Sequence, residues 1–206
     1  MTPNDEIQAL LFDVGQVIIR VNVQRAARRL AEGASTTPEQ VIAAIEADPQ
    51  MRSFQEGRLT PEQWHQHLCN RLGLRLSFEE FCQAWNSALE PEPLLDSGFF
   101  SRLAPHLRLA LLSNTDPIHV SYFESQFEVF SSFSIRLYSC EIGLRKPTPA
   151  IYQHAVAAIG VEPEKILYLD DVEEFVEGGR RAGLQVYHCV DPSGLINHLR
   201  HRGLWS

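Results

Sequence analysis

The chain has 206 residues, 44% of them hydrophobic and 21% charged, with a formal net charge of −8. That length buries one good core plus a modest insertion, and the balance is that of a soluble globular protein. An acidic chain offers no basic stripe for nucleic acid, and apolar runs of only a few residues exclude a membrane span.

In chain order, residues 7–12 read as an apolar strand that stops on Asp13, with Gly15 just beyond. From residue 20 to about 90 the pattern changes. Val23, Ala26, Ala27, Leu30 and Ala31 follow helical spacing. Thr37-Pro-Glu-Gln40, Thr60-Pro-Glu-Gln63 and Ser77-Phe-Glu-Glu80 each carry a capping-box pattern. No strand signal interrupts them, so this segment is expected to be an all-helical insertion, with residues 90–93 as its return linker. Residues 107–112 then read as a strand, followed by a helix start at Asp116-Pro117. A weaker strand is expected over 134–138, and a helix over 149–159, capped by Thr148 and closed by Gly160. A strand over 165–169, a helix over 173–182 closed by Gly183 and a last strand over 184–190 complete the pattern.

Short apolar strands alternating with helices predict a doubly wound, Rossmann-like α/β fold with a parallel five-stranded sheet. The expected core is residues 1–16 and 94–206, and the expected cap is residues 17–93. Cys69, Cys82, Cys140 and Cys189 are scattered and form no CxxC pair. They read as reduced thiols of a cytoplasmic protein, and the non-basic amino terminus predicts no signal peptide. His65 and His67 are two apart and point to different helix faces, so they form no ligand pair.

In open α/β sheets, ligands bind beyond the carboxyl ends of the strands. Asp13, Ser113 and the pair Asp170-Asp171 all fall there. Converging carboxylates need a cation, and an all-oxygen donor set suits Mg2+. Gly15 can contribute its carbonyl. Lys146, one of only two lysines, can balance a phosphoryl group. Ser113 and Asn114 stand just before a helix start, whose free N–H groups favour an anion.

Four segments, Phe12-Asp13-Val14-Gly15, Leu112-Ser113-Asn114, Arg145-Lys146-Pro147 and Leu169-Asp170-Asp171, resemble in order the motifs of the haloacid dehalogenase-like (HAD) hydrolase superfamily. The helical insertion resembles that family's C1-type cap, and the motif wording is similar to a bacterial glucose-1-phosphate phosphatase-like subgroup. The resemblance implies a Mg2+-dependent phosphatase acting on a small phosphate ester, for example a sugar phosphate. Asp13 would be the nucleophile and form an aspartyl-phosphate. Asp13, the Gly15 carbonyl and Asp171 would hold the metal, with Asp170 at the site edge or as a further ligand. Ser113 and the Asn114 backbone would bind phosphoryl oxygens, and Lys146 would balance charge on nucleophile and substrate. The cap would close over the site.

Two departures stand out. Gly15 replaces the aspartate that most phosphatases of this superfamily use as general acid and base, a role worth about 10²–10⁴-fold in rate. Phe175 replaces a common Asn or Asp. Two other readings therefore stay open: a 2-haloacid dehalogenase, and a non-catalytic binding module that keeps the fold.

Overall fold

The computed structural model describes residues 7–32 and 34–206. In chain order the elements are β1 (Ala9–Phe12), β2 (Ile19–Val21), α1 (Val23–Ala31), α2 (Pro38–Glu46), α3 (Pro49–Gln55), α4 (Pro61–Leu72), α5 (Phe78–Asn86), β3 (Leu89–Pro93) and α6 (Ser97–Phe100). Then come β4 (Arg108–Ser113), α7 (Pro117–Gln126), β5 (Ile135–Tyr138), α8 (Ser139–Ile142), α9 (Pro149–Ile159), β6 (Ile166–Asp170), α10 (Glu173–Arg181), β7 (Gln185–His188) and α11 (Pro192–His201).

The five expected strands are present, with ends displaced by a residue or two. They pair in parallel in the order β5-β4-β1-β6-β7. Every residue of β1 is buried, because the sheet is covered on both faces. Side-chain alternation sends Leu10 and Phe12 into one apolar layer and Ala9 and Leu11 into the other. The chain leaves β1 towards β4 and leaves β6 towards β7. The neighbours β1 and β6 are therefore the topological switch point, where a crevice opens at the carboxyl edge.

Helices α1–α5 share a separate apolar cluster that includes Leu30, Val41, Phe54, Trp64, Phe81 and Trp85. All three capping boxes form, with the side chains of Thr37, Thr60 and Ser77 accepting from the backbone three residues on and the reciprocal bonds in place. Phe54 and Trp64 stack at 5.2 Å inside this cluster, so both are cap core and neither faces the crevice.

The insertion stands on a ribbon that no local signal announced. Residues 90–93, expected as a linker, belong to β3, which pairs antiparallel with β2. Arg25 of α1 locks the pair, donating to the Leu89 carbonyl at 2.5 Å and to Glu90 Oε2 at 2.8 Å. The cap also touches the core at Gly57, which has φ 69°. A Cβ there would overlap the Cys140 carbonyl oxygen in α8 and stand 3.1 Å from its carbon. Thr148 precedes α9 as expected but does not cap it with its side chain; its hydroxyl donates to the Arg145 carbonyl at 2.5 Å. Among the described residues, no helix is long and apolar enough to cross a membrane.

Candidate active site

Asp13 follows the last residue of β1, and its N–H donates to the Leu169 carbonyl at 2.9 Å. Ser113 closes β4 and Asp170 closes β6, on either side of it. One carboxylate oxygen each from Asp13, Asp170 and Asp171 lies within 4.8 Å of the other two. The residues expected to work together thus converge on the switch-point crevice.

Lys146 is 1% exposed and reaches this cluster from the loop between α8 and α9. Its Nζ donates to Asp170 Oδ2 at 2.6 Å and stands 2.8 Å from Asp13 Oδ1 as an ion pair. Asp13 Oδ1 is buried, and the Lys146 ammonium is the cation beside it. Burial pushes the Asp13 carboxyl up to about 7; Lys146 opposes the shift and the Asp170 charge adds to it. Burial alone would lower the Lys146 pKa, but the two facing carboxylates raise it. Burial and Asp170 likewise raise Asp171. Two carboxylates share one ammonium here, with a third alongside. Such a crowded oxygen set fits a hard divalent cation.

The two members of the acidic pair are not equivalent. Asp170 has both oxygens engaged, since Oδ2 accepts from Lys146 and the Tyr168 hydroxyl and Oδ1 accepts from the Val172 N–H at 2.8 Å. Asp171 is half-buried and carries neither the lysine nor the tyrosine bond. Its carbonyl meets His188 Nε2 at 2.7 Å. Gly15 sits in a tight loop closed by Ile19 N–H to the Val14 carbonyl at 3.0 Å and Gln16 N–H to the Ile19 carbonyl at 2.8 Å. Phe175 presents its ring 5.0 Å from the Lys146 ammonium, a cation–π contact in place of a polar side chain. Glu173 and Glu174 are exposed in the first turn of α10, where negative charge suits the helix dipole.

Asn114 works through its side chain in a way its position in the chain did not announce. Its Nδ2 donates to the Lys146 carbonyl at 3.0 Å and its Oδ1 accepts from the Lys146 N–H at 2.9 Å. This two-way clamp fixes the lysine loop against the end of β4. Ser139 Oγ secures the same turn, accepting from the Thr115 N–H at 2.9 Å and donating to its carbonyl at 3.0 Å. The expected anion site at the start of α7 needs correction. The N–H groups of Ile118 and His119 are taken by Asp116 Oδ1, at 3.0 and 3.1 Å.

Three cap contacts escaped sequence reasoning. Gln55 Oε1 accepts from Arg145 Nε at 2.9 Å. Trp85 Nε1 donates to Asp116 Oδ2 at 3.1 Å, and His119 lies between the two, with Nδ1 2.9 Å from Asp116 Oδ2 and its ring stacked on Trp85 at 5.7 Å. Beside these residues a cavity of about 270 Å³ runs from Gly15, Ser113 and Asn114 up between α1 and α2.

A parallel sheet with an acidic switch-point crevice, a buried lysine and an inserted helical cap defines a class of hydrolase. The model of the haloacid dehalogenase-like hydrolases matches residues 7–183, and the chain belongs to that family. It is 24% identical over 187 residues to D-ribitol-5-phosphate phosphatase of Bacteroides thetaiotaomicron, covering 88% of this chain and 91% of that protein. A HAD family enzyme from the same organism, crystallised in complex with magnesium and inorganic phosphate, superposes with a TM-score of 0.81 at 24% identity, over 92% of this chain and 98% of the other. A HAD-like family hydrolase from Porphyromonas gingivalis gives 0.79 at 26% identity, over 97% and 99%.

Proposed function

We propose that this hydrolase is a Mg2+-dependent phosphatase that cleaves small phosphate monoesters through an aspartyl-phosphate on Asp13. The gathering of Asp13, Lys146, Asp170 and Asp171 at one crevice carries the reading. A phosphatase among the relatives and magnesium with phosphate in a protein of the same fold support it.

Asp13, the Gly15 carbonyl and Asp171 would hold the ion. Asp170, already committed to Lys146 and Tyr168, acts chiefly by fixing the ammonium. Bound Mg2+ would neutralise phosphate charge and orient the ester. Ser113 and the Asn114 N–H bind phosphoryl oxygens, and Lys146 balances the charge that grows on them. Asp13 then forms a bond to phosphorus as the ester oxygen leaves with the bonding pair and takes a proton from water. A water attacks phosphorus in the second step, so phosphate departs and the Asp13 carboxylate returns. Residues 17–93 act as the cap that excludes bulk water over a core made of 1–16 and 94–206.

The test is phosphate release from p-nitrophenyl phosphate, with and without Mg2+, beside Asp13→Asn. The variant should lose more than about 10³-fold in turnover while still folding. Unchanged turnover in that variant rejects the mechanism. Chloride release from 2-chloropropionate in EDTA would point to dehalogenation.

A further inference from the structure

The cavity that leads from the crevice into the cap is lined on the cap side by Val21, Ala26, Leu30, Ile42, Ile45 and Met51. None of these can meet a hydroxyl. Of the polar side chains on its wall, the Ser113 and Thr115 hydroxyls at the end of β4 and Gln55 Nε2 make no hydrogen bond among the described residues, while the groups of Asp116, His119 and Trp85 are engaged. Asp116 serves His119, Trp85 and two backbone N–H groups, and His119 Nε2 meets the Trp85 carbonyl at 3.2 Å. Gln55 Oε1 accepts from Arg145 Nε, which leaves Gln55 Nε2 as a donor on the cap side. Backbone acceptors are taken too: the Ala88 carbonyl by the Asn22 N–H at 2.7 Å and the Leu89 carbonyl by Arg25. Glu46 is exposed, at the rim. No lysine or arginine lines the space among the described residues.

We infer that the leaving group seated under the cap is a short aliphatic chain, so that the enzyme selects apolar phosphate esters over polyol phosphates. The inference rests on the phosphatase reading and deepens it. Each methylene taken from water into such a cavity should tighten binding by about fourfold. Each hydroxyl buried there without a partner should weaken it by roughly five- to 150-fold. At about 30 Å³ per water-sized group, the cavity of about 270 Å³ has room for roughly nine such groups, so the gain should continue to about six to eight carbons.

The experiment is isothermal titration calorimetry of the protein with Mg2+, using non-hydrolysable n-alkylphosphonates from ethyl to octyl and the phosphonate analogue of ribitol 5-phosphate. Binding is read as heat, so turnover is not required. The expected result is a Kd that falls about fourfold per methylene, with pentylphosphonate at least tenfold tighter than the polyol analogue. Ala26→Leu, which adds three carbons to the wall, should shift the optimum to a chain about three carbons shorter. Should that variant not fold, Met51→Gln at a part-exposed position should flatten the chain-length dependence. An affinity independent of chain length, a tighter polyol analogue or no binding of any phosphonate overturns the inference. Chain-length dependence without hydrolysis of p-nitrophenyl phosphate supports the apolar cavity and rejects the phosphatase reading alone.

Discussion

Gly57 is where the cap leans directly on the core, and replacing it tests that contact. Its φ of 69° lies in the left-handed region, which disfavours any Cβ by about 1–2 kcal/mol. The lower entropy of the unfolded alanine chain offsets about 0.4–1 kcal/mol of that. Gly73 has nearly the same φ, 66°, but a Cβ there meets nothing within 4 Å. Gly73→Ala should therefore lose only about 1 kcal/mol. Gly57→Ala loses that amount and must also push the loop away from the Cys140 carbonyl. Forcing an atom into a packed site costs about 1–3 kcal/mol, for a total of about 2–4. In a protein of this size, 1 kcal/mol moves Tm by about 2–4 °C. Calorimetry should show a drop of roughly 5–15 °C for Gly57→Ala against about 2–4 °C for Gly73→Ala. Because Gln55 and Arg145 pair beside this contact, kcat/KM should fall only in the first. Equal Tm shifts in both variants would refute the packing argument.

Two further perturbations probe charges. Lys146→Met leaves Asp13 and Asp170 buried and facing each other; breaking a buried ion pair costs about 3–5 kcal/mol, so Tm in EDTA should fall by about 6–20 °C and recover in part when Mg2+ is added, and an unchanged Tm would sink this account. The Asp116–His119 pair makes stability depend on pH. Burial opposes both charges, yet Asp116 is held below its ordinary value by His119, and His119 is raised by Asp116. Its contribution is complete between about pH 4 and 6.5, the unfolded-state values. It is lost as pH rises through the raised His119 value, by at most about 1.4 kcal/mol per pH unit. The Tm of wild type should therefore decline more steeply above pH 6.5 than that of His119→Gln; parallel profiles would show that Asp116 does not raise the proton affinity of the imidazole.

The core strands were legible because each is a short apolar run buried on both faces, as in β1 and β6. Their ends located the acidic residues without any three-dimensional information. Asp116-Pro117 marked the start of α7, and the identical pair Asp191-Pro192 opens α11, with Asp191 accepting from the Gly194 N–H at 2.7 Å. That second pair is an equally readable helix start, and α11 lies beyond the last expected element. Tyr168 was readable as well: it lies two residues before Asp170 on the same strand, so both side chains share a face. Its apolar neighbours disguise it as core.

The β2–β3 ribbon was not legible. β2 is three residues long with Arg20 exposed, and β3 contains Pro91 and Pro93, which cannot donate to a ladder. Its partners lie some 70 positions apart. The Asn114–Lys146 clamp joins residues 32 apart and the Arg145–Gln55 bond residues 90 apart, distances at which periodicity carries no information. Asp116 shows how one residue can mislead: the same feature that announces a helix start also fills the donors that an anion would need.

The ribbon has a consequence for how the molecule can change. The chain departs from the sheet and comes back along two neighbouring strands, about 4.8 Å apart in any such pair, with Leu94 N–H bound to the Ile18 carbonyl at 2.7 Å just beneath. Entry and exit thus form a single stem. A module mounted on one stem is exchangeable: its helices can grow, shrink or be swapped wholesale while the acidic crevice below keeps its alignment. New specificities can accordingly arise above the stem without redesign of the chemistry beneath it.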